Sequence, residues 1–207
     1  MADALDKLLE HSSSAIGRPV TEVGGLSERY EPIRPLLERR NGFWAGFSAL
    51  HVLPYDRSSY PNLSLSDQLN DALNLFEEAT GGVIFAFDVY GMPFIFRGNE
   101  FGQLDYGTGK VDPMGSSVAD WARILVEDFS LFTGWPLAEA WQKEHGELPV
   151  GVRLFPTRPF FMGGEYKTSN LRAVSIADGF GAAAQIYNQT KNLPDGTQVQ
   201  IVVADQL

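Results

Sequence analysis

The chain has 207 residues, no cysteine, an apolar fraction of 44% and a net charge of −10. That length bounds it to one decorated domain or two small ones, and the missing cysteines exclude a disulfide framework and a Cys-ligated zinc site while suiting a reducing compartment. The charge argues against nucleic acid as a direct ligand, because phosphate binding needs a basic stripe; it leaves solubility or attraction of a basic partner as its use.

Residues 1–27 read as a short amphipathic helix carrying Leu5, Leu8 and Leu9, then a Ser- and Gly-containing connector. Asp3 and Asp6 stand where a secretory leader would be basic, and no later run is long enough to span a bilayer, so a cytoplasmic protein without a membrane anchor is expected. EPIRPLLERRNG reads as a helix with prolines in its first turns, closed by Asn41-Gly42. FWAGFSALHVLP reads as a strand pair or a strand with a tight loop. SLSDQLNDALNLFEEATGG is the clearest helix: Leu65, Leu69, Leu73 and Phe76 share a face, Ser66 is its N-cap, and Gly81-Gly82 stop it. VIFAFDV and PFIFR make two strands around Tyr90-Gly91, and EFGQLDY and GKVDPM two more around Gly107-Thr108-Gly109, an antiparallel meander.

A helix capped by Ser116 or Ser117 follows, with Val118, Trp121, Ala122, Leu125 and Phe129 on one face. Pro136 begins a short helix ending at His145-Gly146, and RLFPTRPFFMGGEY reads as an extended segment wrapping the core. Ser175 or Asp178 opens a last helix to about Lys191, and TQVQIVV alternates like a final strand.

No motif nominates a catalyst. His11, His51 and His145 are isolated, which makes a metal site improbable and gives His51 the plain reading of a satisfied core histidine. YGTGKV fails as a phosphate loop, because Leu104 and Val111 occupy the positions that need Gly and Ser or Thr. Adjacent carboxylates such as Glu77-Glu78 and Glu127-Asp128 point in different directions on a helix and form no dyad. The expectation is a non-enzyme without a cofactor.

Charge placement stands out. Between Arg57 and Arg97 there is no Lys or Arg, while Asp67, Asp71 and Glu78 fall on one stripe of the clear helix at i, i+4 and i+11. A stabilising surface would interleave cations at i+4, worth roughly 0.2–0.5 kcal/mol per pair. Glu77 and Glu78 would sit at the helix's negative end, a small loss that a partner's cations would answer. The alternative is a merely solvated stripe.

NGFWAGFSALHVLP, VIFAFDVYGMPFIFR and LDYGTGKVDPMGSSVADWARIL together resemble the SUKH superfamily over roughly residues 28–132. The marks are a helix closing on Asn41-Gly42, a Phe-rich strand ending in Asp88, Gly91 at a hairpin, a second hairpin, and a helix with Trp121 after a Ser. The chain departs at Met92-Pro93, where the family often carries another acid. Residues 133–207 resemble an extension of some bacterial members. The resemblance implies an α+β fold, an antiparallel or mixed sheet packed by helices with a C-terminal α/β extension. It divides the chain into residues 1–27, a core at 28–132 and an extension at 133–207 packed on the core.

In bacteria the resemblance implies an immunity protein that neutralises a cognate toxin, often a nuclease with a basic surface. The fungal relatives imply a scaffold or regulatory module instead. The expected partner-binding set is Asp67, Asp71, Glu77, Glu78, Tyr90, Glu100 and Asp105. Asp88 is expected to brace the Tyr90-Gly91 turn first and to touch a partner second, with strict alternation placing it and Ala86 opposite Phe85 and Phe87.

Overall fold

Six short apolar runs pair in sequence order into one antiparallel meander, and the helices that separate or follow them cover its two faces. The computed structural model describes residues 3–55, 65, 67–194 and 196–199. α1 (Ala4–Glu10) is capped by Asp3, whose carboxylate accepts from the Asp6 amide at 2.9 Å, and it buries Leu5 and Leu8. A 3-10 turn at Glu28–Ile33 runs into α2 (Arg34–Arg39). β1 (Phe43–Ala45) and β2 (Leu50–Val52) follow, then α3 (Asp67–Leu73), β3 (Val83–Phe87), β4 (Pro93–Arg97), β5 (Glu100–Asp105) and β6 (Lys110–Pro113). The sheet order is β1-β2-β3-β4-β5-β6. Ser117 caps α4 (Val118–Glu127), and α5 (Phe129–Thr133) and α6 (Trp135–His145) complete the middle of the chain. β7 (Val152–Pro156) and β8 (Leu171–Ser175) pair as a second small sheet before α7 (Ile176–Thr190), capped by Ser175. The fold is α+β, an antiparallel sheet packed by helices with a C-terminal α/β extension.

A bulge between Ile84 and Ala86 corrects the expected alternation along β3. One extra residue moves every later side chain to the other face. Phe85 therefore meets Trp121 of α4 at 4.9 Å, as Phe94 does at 5.7 Å, while Phe87 meets Phe180 of α7 at 6.1 Å. Strict alternation had placed Phe85 and Phe87 together; the bulge lets neighbouring Phe residues of one strand anchor helices on opposite faces.

The extension is joined to the meander by Phe155 of β7. Its ring fills the space where a Cβ at Gly91 would come within 2.2 Å and one at Gly179 within 2.0 Å. Leu154 donates its amide to the Val89 carbonyl at 2.7 Å, and Phe155, Ile176, Phe180 and Ala184 belong to the same buried cluster as the meander.

Four expected elements differ. The helix after Ser117 ends at Glu127, so Phe129, expected on its inward face, begins α5 instead. The helix over SLSDQLNDALNLFEEATGG stops at Leu73, because Phe76 turns to an extended conformation and stacks on Tyr187 at 4.6 Å; burial of that ring overrides local helix propensity. Leu65, Leu69, Leu73 and Phe76 are nevertheless all buried. RLFPTRPFFMGGEY contributes β7 rather than only an extended wrap. Residues 197–199 of TQVQIVV are not in a strand, and the rest of that run, like Ser66, lies outside the described residues.

Both outer strands are covered. The Ser13 amide bonds the Trp44 carbonyl at 2.7 Å along β1. On β6 the Val111 amide points away from β5 and donates to the Glu78 carboxylate at 2.9 Å, while Pro113 has no N–H to offer. An edge whose outward donors are filled or missing cannot template another strand.

Candidate functional site

The seven residues named from the sequence do not form one stripe. Asp67 and Asp71 lie on α3, Asp71 exposed. Glu77 and Glu78 open a separate 3-10 turn, Glu77–Ala79. The break in the helix thus removes the unfavourable placement at a negative helix end on which part of the partner argument rested. They sit instead in a three-residue turn, too short to build a helix dipole of either sign.

Tyr90 is a correction. It is 7% exposed, packed edge-on against Phe160 at 5.2 Å and Tyr166 at 6.0 Å, and burial pushes its phenol pKa upward. A hairpin tip is usually exposed, but here the extension folds over it, so Tyr90 offers no area to a partner. Asp105 is largely spent on its own turn, accepting from the Gly107 amide at 2.7 Å and the Thr108 hydroxyl at 2.9 Å. Those bonds give it a turn-bracing use that the sequence did not announce.

Glu78 and Glu100, distant in sequence, line one groove of about 580 Å³ over β4–β6. Ile95, Phe101 and Val111 supply apolar lining, and Arg97 pairs with Glu100 at 3.2 Å. Both partners of that pair are mostly exposed, so it contributes little. Among the described residues no Lys or Arg reaches ion-pair distance of Asp71, Glu77 or Glu78, whereas Arg123 and Glu127 on α4 pair at 2.8 Å as on an ordinary solvated helix. The groove thus carries apolar lining, two carboxylates and one cation, Arg97.

Glu78 carries two uses that can be separated. Glu78→Ala removes the acceptor of the Val111 amide and is expected to cost about 0.5–1.5 kcal/mol in denaturant unfolding. Glu77→Ala, which loses no such bond, is expected to stay within about 0.5 kcal/mol of the parent.

A second polar group lies inside, between the meander and the extension. Asp88 braces its turn as expected, accepting from the Met92 amide at 2.8 Å and the Gln103 amide at 3.2 Å. Burial nevertheless pushes its carboxyl pKa well above the ordinary value, against the pull of the Met92, Tyr90 and Gly91 backbone amides and of Arg153. Arg153 is buried; its Nη1 donates to the carbonyls of Val152 at 3.0 Å and Ser48 at 3.3 Å, while Nε and Nη2 have no protein partner. Burial lowers its pKa to about 10.

His51 is a core histidine but not a satisfied one: it stacks on Trp44 at 5.3 Å, and neither ring nitrogen has a protein partner. Burial, helped by the Arg153 charge, drives its pKa well below the usual histidine value and keeps the ring neutral. His145 bonds the Trp141 carbonyl at 3.0 Å in the last turn of α6, a helix-end role. Among the described residues no three His, Asp or Glu side chains gather to hold a metal ion.

Sequence reasoning missed Arg153 and the β1–β2 turn. An isolated Arg between a Val and a Leu carries no signal of burial. Nor does Gly-Phe-Ser announce the left-handed backbone found at Gly46, Phe47 and Ser48, with φ of 57°, 52° and 59°.

No family model matches the chain, and no curated protein matches it. Among solved structures, the crystal structure of Atu4351 from Agrobacterium tumefaciens is similar at a TM-score of 0.49 and 12% identity, covering 77% of this chain and 81% of that one. No helix among the described residues is long and apolar enough to cross a membrane.

Proposed function

We propose that the chain is a cytoplasmic immunity protein that binds and neutralises a cognate bacterial toxin by stoichiometric occlusion through an acidic surface. The observation that carries this reading is the set of exposed carboxylates at Asp71, Glu77, Glu78 and Glu100, two of which line one groove while, among the described residues, no Lys or Arg reaches ion-pair distance of Asp71, Glu77 or Glu78. A nuclease fits as the toxin, because its substrate surface is basic and an acidic protein placed there excludes the nucleic acid. The resemblance to SUKH proteins supports the same reading. The site is narrower than the sequence implied: Asp71 and Glu77 are its unpaired carboxylates, Glu100 serves it while paired with Arg97, Glu78 while holding β6 and Asp105 while bracing its turn, and Tyr90 leaves it.

The filled edge of β6 favours a second reading, a scaffold or regulatory module without a toxin. Glu78 then has a purely structural use, and the remaining acids serve solubility.

Expressing the product of the reading frame adjacent to this chain's own, assaying it for toxicity and titrating it with the chain separates the two. Immunity predicts linear loss of toxin activity ending at one equivalent, with a complex that survives gel filtration. Loss of activity at far below one equivalent would indicate turnover, and the absence of any complex would contradict the proposal. Recovery of many housekeeping proteins from the native host, with none of them a toxin, would favour the scaffold.

A further inference from the structure

The loop after β7 is built around one arginine. The Arg158 backbone amide donates to the Asn170 side-chain oxygen at 2.9 Å, and the Asn170 side-chain amide donates back to the Arg158 carbonyl at 3.0 Å. The Arg158 Nε donates to the Met162 carbonyl at 2.8 Å, which sets the plane of the guanidinium. Two glycines allow this course. A Cβ at Gly164 would lie 2.0 Å from the Arg158 carbonyl, and Gly163 holds a φ of 81° that favours glycine. Among the described residues neither Nη group has a hydrogen-bond partner and no carboxylate pairs with the guanidinium. An arginine fixed through Nε alone presents its remaining donors as an oriented fork for an anion.

Arg158 lines a groove of about 900 Å³ together with Thr108, Thr157, Phe161, Thr190 and Lys191. Its walls are this loop, the β5–β6 turn and the end of α7, and its size is that of a small-molecule site. Phe161 is 43% exposed, and its ring sits 2.7 Å from where a Cβ at Gly107 would be, so glycine at the turn admits the aromatic wall. The Lys191 ammonium lies 5.6 Å from the centre of the Tyr187 ring and offsets the carbonyl end of α7, which would otherwise repel an anion. Among the described residues the lining has two cations and no Asp or Glu, on a chain of net charge −10. The Asp105 carboxylate at the base of the turn is committed to the Gly107 amide and the Thr108 hydroxyl.

We propose that this groove binds a small phosphate monoester carrying a flat ring, of the size of a nucleoside monophosphate. The phosphate sits on the Arg158 fork with Lys191 as the second cation, the ring lies on Phe161, and the threonine hydroxyls serve the sugar. Charge selects an anion, since the lining is cationic on an otherwise acidic chain. The fork favours a phosphate, whose several oxygens accept both Nη donors while its second charge answers the lysine. The exposed aromatic wall selects a ligand with a π-face, and a concavity closed by three segments suits a small molecule better than a flat protein face. The site uses none of the carboxylates proposed to meet a toxin, so either reading can fail alone.

Titration calorimetry of the full chain with the 5′-monophosphates of adenosine, guanosine, cytidine and uridine tests this, with inorganic phosphate, the free nucleosides and a polyglutamate peptide as separate arms. The expected result is saturable one-to-one binding of at least one monophosphate, about ten-fold or more tighter than inorganic phosphate or the matching nucleoside. Arg158→Gln and Lys191→Gln should each weaken it about ten-fold or more, and Phe161→Ala about five-fold or more. Arg172→Gln, on an exposed position of β8, should leave it unchanged. Arg158→Gln also removes the bond to Met162, so Lys191→Gln, which breaks no side-chain hydrogen bond, carries the test if the loop loosens. No saturable binding of any monophosphate up to about millimolar concentration overturns the proposal, as does binding that both charge variants leave unchanged. Inorganic phosphate binding as tightly as the monophosphates overturns it by removing the ring from the site, and tighter binding of polyglutamate overturns it by assigning the groove to an acidic protein.

Discussion

Replacing Asp88 with alanine is expected to lower the unfolding free energy by about 2–4 kcal/mol, because the Met92 and Gln103 amides lose an acceptor in a buried setting. Asp88→Asn keeps an oxygen for the Met92 amide and is expected to cost about 1 kcal/mol or less near neutral pH. The two variants also separate shape from charge. Burial makes the folded chain hold the Asp88 proton to a higher pH than the unfolded chain, whose value lies near 3.8. The stability contributed by that proton is therefore complete below about pH 4 and is lost as the pH rises through the folded value. The parent should lose stability relative to Asp88→Asn when denaturant unfolding is moved from about pH 4 to neutrality. A parent that gains relative stability over that interval would mean that Arg153 and the backbone donors outweigh desolvation.

The second large effect is expected at the glycines flanking Phe155. Gly179 is helical, and alanine in a helix interior is ordinarily better than glycine by roughly 0.8–1.0 kcal/mol. Here the added Cβ would lie 2.0 Å from the Phe155 ring. Overpacking of about 1–3 kcal/mol then wins, and Gly179→Ala is expected to destabilise. Gly91→Ala adds backbone strain at a φ of 76° to a Cβ only 2.2 Å from the same ring. It is expected to cost about 3 kcal/mol or more. Urea unfolding of both variants checks the account of how the extension is attached. A stabilised Gly179→Ala would show that Phe155 is not wedged there.

What the sequence made legible was periodic. The four hairpin strands β3 to β6, a cap before each of α4 and α7, and the inward residues of α4 from Val118 to Leu125 follow from spacing and turn residues, with the structure choosing Ser117 over Ser116 and Ser175 over Asp178. What it hid was set by tertiary contact. Phe76 breaks a good helical pattern because its ring is worth more against Tyr187, and the β3 bulge sends Phe87 to α7. Tyr90 reads as an exposed hairpin tip until Phe160 and Tyr166, some seventy residues later, close over it. The acidic set was legible as composition but not as geometry. Glu78 and Glu100 line one groove because the meander brings β6, through the Val111 amide, against the turn at Glu77–Ala79, and nothing local announces that.

Salt dependence of toxin binding tests the acidic-surface account most directly. The parent chain, titrated against the toxin that the proposal assigns to it at rising ionic strength, should lose affinity steeply, since exposed charges are screened over about 8 Å at physiological salt. Asp71→Lys with Glu100→Lys should weaken binding about ten-fold or more and flatten that dependence, while Glu147→Lys in an exposed loop elsewhere should do neither. Unchanged affinity and an unchanged slope in the double variant would show that the toxin, if it binds, docks somewhere other than this surface.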